Sequence, residues 1–410
     1  MVKPIRHARS AAVLVVTSVL AVLPLAATPS AHAEPPRPAF YEAPATLPAA
    51  NGDLIRSEKL DLLLDPAGAH TVAFDATRVL YRSTNRTGKP IAVSGSIFVP
   101  KAKWVGSGTR PVIGYAVGTQ GIGDSCAPSR VFSELFEYES IFMAGLLARG
   151  YAVAMTDYEG LGTAGMHTYM DRVSQGRAVI DIVRTAQRMP GTGLTANSPV
   201  AFAGYSQGGA GAASAAELAG SYAPTMKVKG SVASAVPADL RALPDAIDGS
   251  LYSLFTWFAI AGLTSSYGID MDPYLNAKGK EMYAKIADDC VFDLLGSAFT
   301  RSSDYTADGA GLDELITRAP FEQMIADQRI GRIKPNAPVL VTHSRLDDVV
   351  PHRVATQLTQ DWCSRGATVR LSSNLSPLHV GGMLNHATEI YAFLEARFAG
   401  LPAASSCWRM

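Results

Sequence analysis

The chain carries no excess of charge of either sign. Its 410 residues include 36 Lys and Arg against 36 Asp and Glu, so net charge gives no case for a nucleic acid partner. No charge run or internal repeat stands out, and after Ala33 no apolar run is long enough to span a bilayer. Cysteine is scarce, with four in all. Cys126, Cys290, Cys363 and Cys407 lack metal-ligand spacing, and no His/Cys/Asp cluster supplies one, so neither a metal nor an organic cofactor is expected. Hydrophobic residues are not scarce: at 48% they suffice for a large core, in one elaborated domain or a domain with an insertion.

Residues 1–33 read as a secretory signal peptide. Lys3, Arg6 and Arg9 form a positive region, Ala11 to Ala27 is apolar, and Ala31-His32-Ala33 is a small-x-small cleavage site. The chain is therefore expected outside the cell, cut after Ala33, with Pro35 to Pro48 as a Pro/Ala-rich leader. In an exported chain, an even number of cysteines favours two disulfides, and three connectivities are open.

Ser198 to Ala216 is the most informative stretch. Val200 to Ala203 is a short β-type run, Gly204-Tyr205-Ser206-Gln207-Gly208 is a G-x-S-x-G, and a helix-forming run of small residues follows. Strand, tight turn and helix form the context of a nucleophile elbow. Side chains at Gly204 and Gly208 would strike neighbouring backbone, and the alanines let the helix pack close to the sheet.

Around it, strands alternate with helices. Ala73 to Ser83 and Ile91 to Val99 read as opening antiparallel strands. Pro111 to Val117, Tyr151 to Thr156, Val228 to Ala233, Pro338 to Thr342 and Thr368 to Leu371 read as further strands. Helices are expected over Ser140 to Arg149, Gln175 to Met189 and Ala387 to Phe398. The pattern is α/β: a mostly parallel sheet with helices on both faces and ligands collected at the strands' carboxyl ends. It breaks from about Pro237 to Arg332. There Ser250 to Leu263 is apolar all round, Tyr274 to Ala287 is amphipathic, and Pro320 divides Leu312 to Ala326 into two short pieces. The expected organisation is a core of 34–236 and 333–410 with a helical cap inserted at 237–332.

A serine nucleophile needs a base, and the base a carboxylate. Asp347, in the turn after a late strand and four residues past His343, is favoured over its neighbour Asp348. His343 reads as support for that turn, and His352 opens the next helix. His379, in a loop after the last strand with Gly381-Gly382 beside it, is favoured over His386, which starts the final helix. His70 and His167 read as surface or loop residues, with His167 able to line the cleft. The order Ser206, Asp347, His379 is the α/β-hydrolase order. Two donors are expected for the oxyanion: the N–H of Gln207, and Gln120 in the glycine-rich loop Gly118 to Gly123.

Ordered pieces along the chain resemble the secretory lipases of the Candida antarctica lipase A type. They are Asp124-Ser125-Cys126-Ala127-Pro128-Ser129, Asp157-Tyr158-Glu159-Gly160, the elbow, Leu275-Asn276-Ala277-Lys278-Gly279-Lys280, and Asp347-Asp348-Val349-Val350-Pro351. The resemblance implies an α/β-hydrolase with a helical cap that acts on lipid esters. It implies Ser206, Asp347 and His379 as the triad and Gln120 as second oxyanion donor, six residues before Cys126. It also implies the pairs Cys126–Cys290 and Cys363–Cys407. The chain departs from the type member, where the donor position is acidic and the elbow reads G-Y-S-G-G. The expected partner is a hydrophobic ester, with transient contact to a lipid interface through the cap. An acyltransferase with the same triad, or a non-catalytic binding protein on this scaffold, are the alternatives.

Overall fold

A computed structural model describes residues 37–62, 73–134 and 137–410. The expected signal peptide and His70 lie outside the described residues. Nine strands form one sheet in the order β1-β2-β3-β5-β4-β6-β7-β8-β9. β1 (Leu54–Lys59), β2 (Phe74–Thr84) and β3 (Pro90–Pro100) are antiparallel, and β3 also runs antiparallel to β5 (Ala152–Tyr158). The rest of the sheet is parallel: β4 (Val112–Ala116), β5, β6 (Val200–Tyr205), β7 (Val228–Ser234), β8 (Val339–Leu346) and β9 (Val369–Pro377). Every residue of β4, β5 and β6 is buried, as expected where helices cover both faces of a parallel sheet.

The helices follow from local chemistry. Helix Arg172–Arg188 starts three residues earlier than the apolar spacing predicts. Asp171 caps it by accepting from the N–H groups of Val173 and Ser174, which satisfies two donors with no intrahelical partner. It stops at Met189, whose backbone is extended before Pro190. Helix Gln207–Tyr222 is almost wholly buried along its Gly/Ala face, and it packs against Arg172–Arg188 so closely that a Cβ on Gly176 would lie 2.9 Å from Ser214.

Residues 237–332 are helical or irregular. The apolar segment forms helix Ser253–Tyr267, Ala277–Lys285 is shorter than its periodicity predicts, and Leu312–Leu315 and Phe321–Asp327 flank Pro320. Arg329 ties the region down. Its guanidinium pairs with Asp239 on the way out of the sheet and, at 2.6 Å, with Asp361 in helix His352–Ser364. Among the described residues no helix is long and apolar enough to cross a membrane.

Three expectations change. β1 goes unrecognised in the sequence, because it is a half-exposed edge strand with a bulge and little periodic signal. β8 runs on through Leu346, so His343 is a strand residue rather than part of the following turn. β9 runs to Pro377 and is followed at once by helix Leu378–Asn385. His379 therefore sits in the first turn of a helix and not in a loop.

Candidate active site

Ser206 stands between β6 and helix Gln207–Tyr222 with φ 59° and ψ −120°, a backbone that L-residues rarely adopt. The flanking glycines make the turn feasible. A Cβ on Gly204 would lie 2.3 Å from the Gly208 carbonyl oxygen, and one on Gly208 would lie 2.0 Å from the Ala116 oxygen. The N–H of Gln207 opens the helix and so has no intrahelical acceptor. The Gln207 side chain is fixed separately, because its amide donates to Nε2 of His167 at 3.0 Å. His167 Nδ1 donates to the Glu159 carbonyl, and Tyr158 stacks on its ring. Burial lowers the pKa of His167 to about 4, so the ring stays neutral. It lies in a loop, as the sequence predicts, but fully buried as an internal strut rather than at the surface.

Asp347 follows β8 directly. One oxygen accepts the N–H groups of Val349 and Val350, at 3.0 and 2.8 Å, a local turn that fixes the carboxylate. Both oxygens lie within 2.9 Å of His379 Nδ1. Burial raises the Asp347 pKa, but the bond and charge of His379, with His343 and the Val350 N–H, outweigh it and leave the carboxyl below its ordinary range. His343 is buried, donates Nε2–H to the Val350 carbonyl at 2.8 Å, and is neutral, its pKa lowered to about 4 by burial. Asp348 has other partners: the His379 N–H at 2.7 Å and the Tyr252 hydroxyl at 3.0 Å. His386 pairs with Glu389.

The other ring nitrogen of His379, Nε2, is buried and has no hydrogen-bond partner among the described residues. The ring packs 5.2 Å from that of Tyr205, the residue bonded to Ser206, and the Tyr205 hydroxyl donates to the His379 carbonyl. A histidine with Nδ1 held by a carboxylate and Nε2 unoccupied is the tautomer a general base requires.

Gln120 lies in the loop after β4, buried. Its carbonyl accepts from Val291 at 2.7 Å, Ile122 donates to Asp289, and Gly121 pairs with Cys290. The Cys126–Cys290 disulfide closes the same junction, and Cys363–Cys407 forms the second bridge. Gly121, at φ +142°, admits the close pass, since a Cβ there would lie 2.6 Å from Cys290 Cα. The Gln120 side chain reaches Glu137 at 3.4 Å, and among the described residues its backbone N–H has no acceptor.

Two buried carboxyls beneath this loop escape the sequence reading. Glu139 accepts the Gly118 N–H and the Tyr115 hydroxyl, each at 2.5 Å. Tyr138 donates to the Thr119 carbonyl, and one oxygen of Glu137 has no partner among the described residues. Burial holds both carboxyls well above their ordinary range. The signal available was E-Y-E inside the apolar run from Leu135 to Phe142, though apolar flanks alone do not bury a carboxylate.

Ser206 and Gln207 open onto an apolar cavity with Tyr169, Leu243, Phe255 and Val349 among its walls. Leu240, Leu243, Ile247 and Ala259 are shared with a second apolar cavity among the helices of 237–332. The first offers only about 40 Å³ to the centres of water-sized occupants, enough for a few waters and too little for a long acyl chain. Among the described residues no group of three or more His, Cys, Asp or Glu is placed to hold a metal ion.

Solved structures share this arrangement of strands and helices. Candida antarctica lipase A in its closed state superposes with a TM-score of 0.79 at 21% identity, covering 92% of this chain and 90% of that one. The rice cell wall degrading esterase LipA from Xanthomonas oryzae gives 0.67 at 20% identity over 86% of this chain and 100% of that one. The fold is thus that of the lipase A-type α/β-hydrolases. Among curated proteins, a secreted triacylglycerol lipase of Malassezia globosa is 26% identical over 388 residues, covering 90% of this chain and 80% of that protein. A Mycobacterium tuberculosis protein named a probable inactive lipase is also 26% identical, over 374 residues, 88% of this chain and 82% of that one. The sequence model of the secretory lipase family matches residues 127–406, more than half of the chain. The chain belongs to the secretory lipase family.

Proposed function

We propose that this protein is a secreted serine hydrolase that cleaves carboxylic esters of hydrophobic acyl groups through an acyl-enzyme on Ser206. The observation that carries the reading is His379: Nδ1 bound to Asp347, Nε2 buried and unpaired among the described residues, and the ring against Tyr205 next to the elbow. In the proposed reaction Ser206 Oγ attacks the ester carbonyl as His379 Nε2 takes its proton. The N–H groups of Gln120 and Gln207 hold the oxyanion. The imidazolium, stabilised by Asp347, returns the proton to the departing alkoxide, and water repeats the sequence on the acyl-serine.

In this reading, 34–236 and 333–410 are the catalytic core, 237–332 is the cap, and the first 33 residues direct export. A short acyl group lies against Leu243 and Ile247 in the cavity at Ser206, and a long one enters only when the cap shifts to widen that cavity. The cap presents Phe292, Leu295 and Phe299 to solvent, each more than two thirds exposed, which supports contact with a lipid surface through the cap. One family relative bears the name of a probable inactive lipase, so activity needs its own test. A fluorophosphonate probe should label the wild type and not Ser206→Ala, and p-nitrophenyl esters from acetate to palmitate should be hydrolysed. A wild type that neither labels nor turns over any ester refutes the reading.

A further inference from the structure

His379 is held at two points by two adjacent carboxylates. Asp347 takes the ring, while Asp348 Oδ1 accepts the backbone N–H of the same residue at 2.7 Å. The second contact answers a local need. Helix Leu378–Asn385 begins behind Pro377, which supplies no side-chain cap, and Leu378 enters it at φ +63°, a strained conformation for a branched side chain. Asp348 thus caps the helix from outside and steadies a turn that its own sequence holds poorly.

The other oxygen of Asp348 accepts the Tyr252 hydroxyl at 3.0 Å. Tyr252 precedes helix Ser253–Tyr267 of the cap region, and its ring stacks on Phe255, 5.9 Å away, which lines the cavity at Ser206. Burial and the Asp348 carboxylate push the Tyr252 pKa up to about 12, so the phenol remains a neutral donor. One carboxylate therefore touches the histidine's backbone on one side and the cap on the other.

We infer that Asp348 is a positioning residue for His379, and that Tyr252 couples the seating of the cap to the placement of the base. The inference rests on the proposed triad. With Tyr252 seated over the site, Asp348 is held by two donors and the imidazole stays aligned. When this part of the cap moves, Asp348 loses its outer donor and the turn at Leu378 relaxes.

The test is a double-mutant cycle on the full mature chain, with soluble p-nitrophenyl butyrate as substrate. Asp348→Ala should lower kcat about 10- to 100-fold with KM little changed, since a misplacement near 1 Å costs that order. Asp348→Asn, which keeps an oxygen for the His379 N–H, should recover most of the loss. Tyr252→Phe should lower kcat by less. Combined with Asp348→Ala it should add almost nothing, because both changes break one chain of contacts. Additive effects, an unchanged kcat in Asp348→Ala, or a lower melting temperature with kcat retained would each overturn the inference. Fluorophosphonate labelling of the wild type separates the two failures. A wild type that does not label sinks the triad itself, whereas a labelled wild type with an indifferent Asp348→Ala sinks only the coupling.

Discussion

Gly208→Ala is the sharpest test of the elbow's geometry. The new Cβ would lie 2.0 Å from the Ala116 carbonyl oxygen and 2.8 Å from its carbon. A carbon–oxygen contact needs about 3.3 Å, so one partner has to retreat by roughly 1 Å. Ala116 has little room to yield, because β4 is paired with β5 on one side and β6 on the other. The start of helix Gln207–Tyr222 must therefore shift, carrying the Gln207 N–H with it. Losing one oxyanion donor costs on the order of 10²–10³ in kcat, and overpacking of this kind destabilises by about 1–3 kcal/mol. The control is Gly220→Ala in the same helix, where the nearest atom to the new Cβ is 3.8 Å away. That change should leave kcat alone and stabilise by up to about 1 kcal/mol. Steady-state hydrolysis of p-nitrophenyl butyrate with active-site titration reads kcat, and thermal melts read stability. A Gly208→Ala enzyme with kcat within about twofold of wild type would refute the reasoning.

Asp347→Asn should lower kcat by about 10⁴, the order lost when a triad acid no longer fixes the tautomer, while Asp348→Asn keeps most activity; the reverse ranking would exchange their roles. Replacing Cys126 and Cys290 by serine should cost about 2–5 kcal/mol of stability and also lower kcat, since the bridge pins the loop of Gln120. The same change at Cys363 and Cys407 should cost stability alone. Glu139→Gln tests the buried carboxyls. A folded-state pKa above the unfolded one gives stability that is full below the unfolded pKa and is lost as pH rises through the folded one. Wild-type melting temperature should therefore fall relative to the variant's as pH rises from about 4.5, and a gap that widens in the wild type's favour would refute the assignment.

Much of the framework was legible in the amino-acid order because the signals are local. The run from Val200 through Gly208 specifies strand, turn and helix through the residues' own sizes and backbone freedom. Asp347 makes its turn with Val349 and Val350, two and three residues away. The alternation of buried strands with helices is likewise written into short windows. The folded chain decided what depends on residues meeting across long separations. The sequence favours Asp347 over Asp348 only by its place in the turn; what separates their roles is that one faces a ring nitrogen and the other a backbone N–H and a tyrosine 96 positions away. Nothing in the sequence near His167 or Glu139 says that either is fully buried; that follows only once distant segments close over them. A residue's burial, and with it its charge state, is set by what packs against it from elsewhere, and no short window of sequence contains that information.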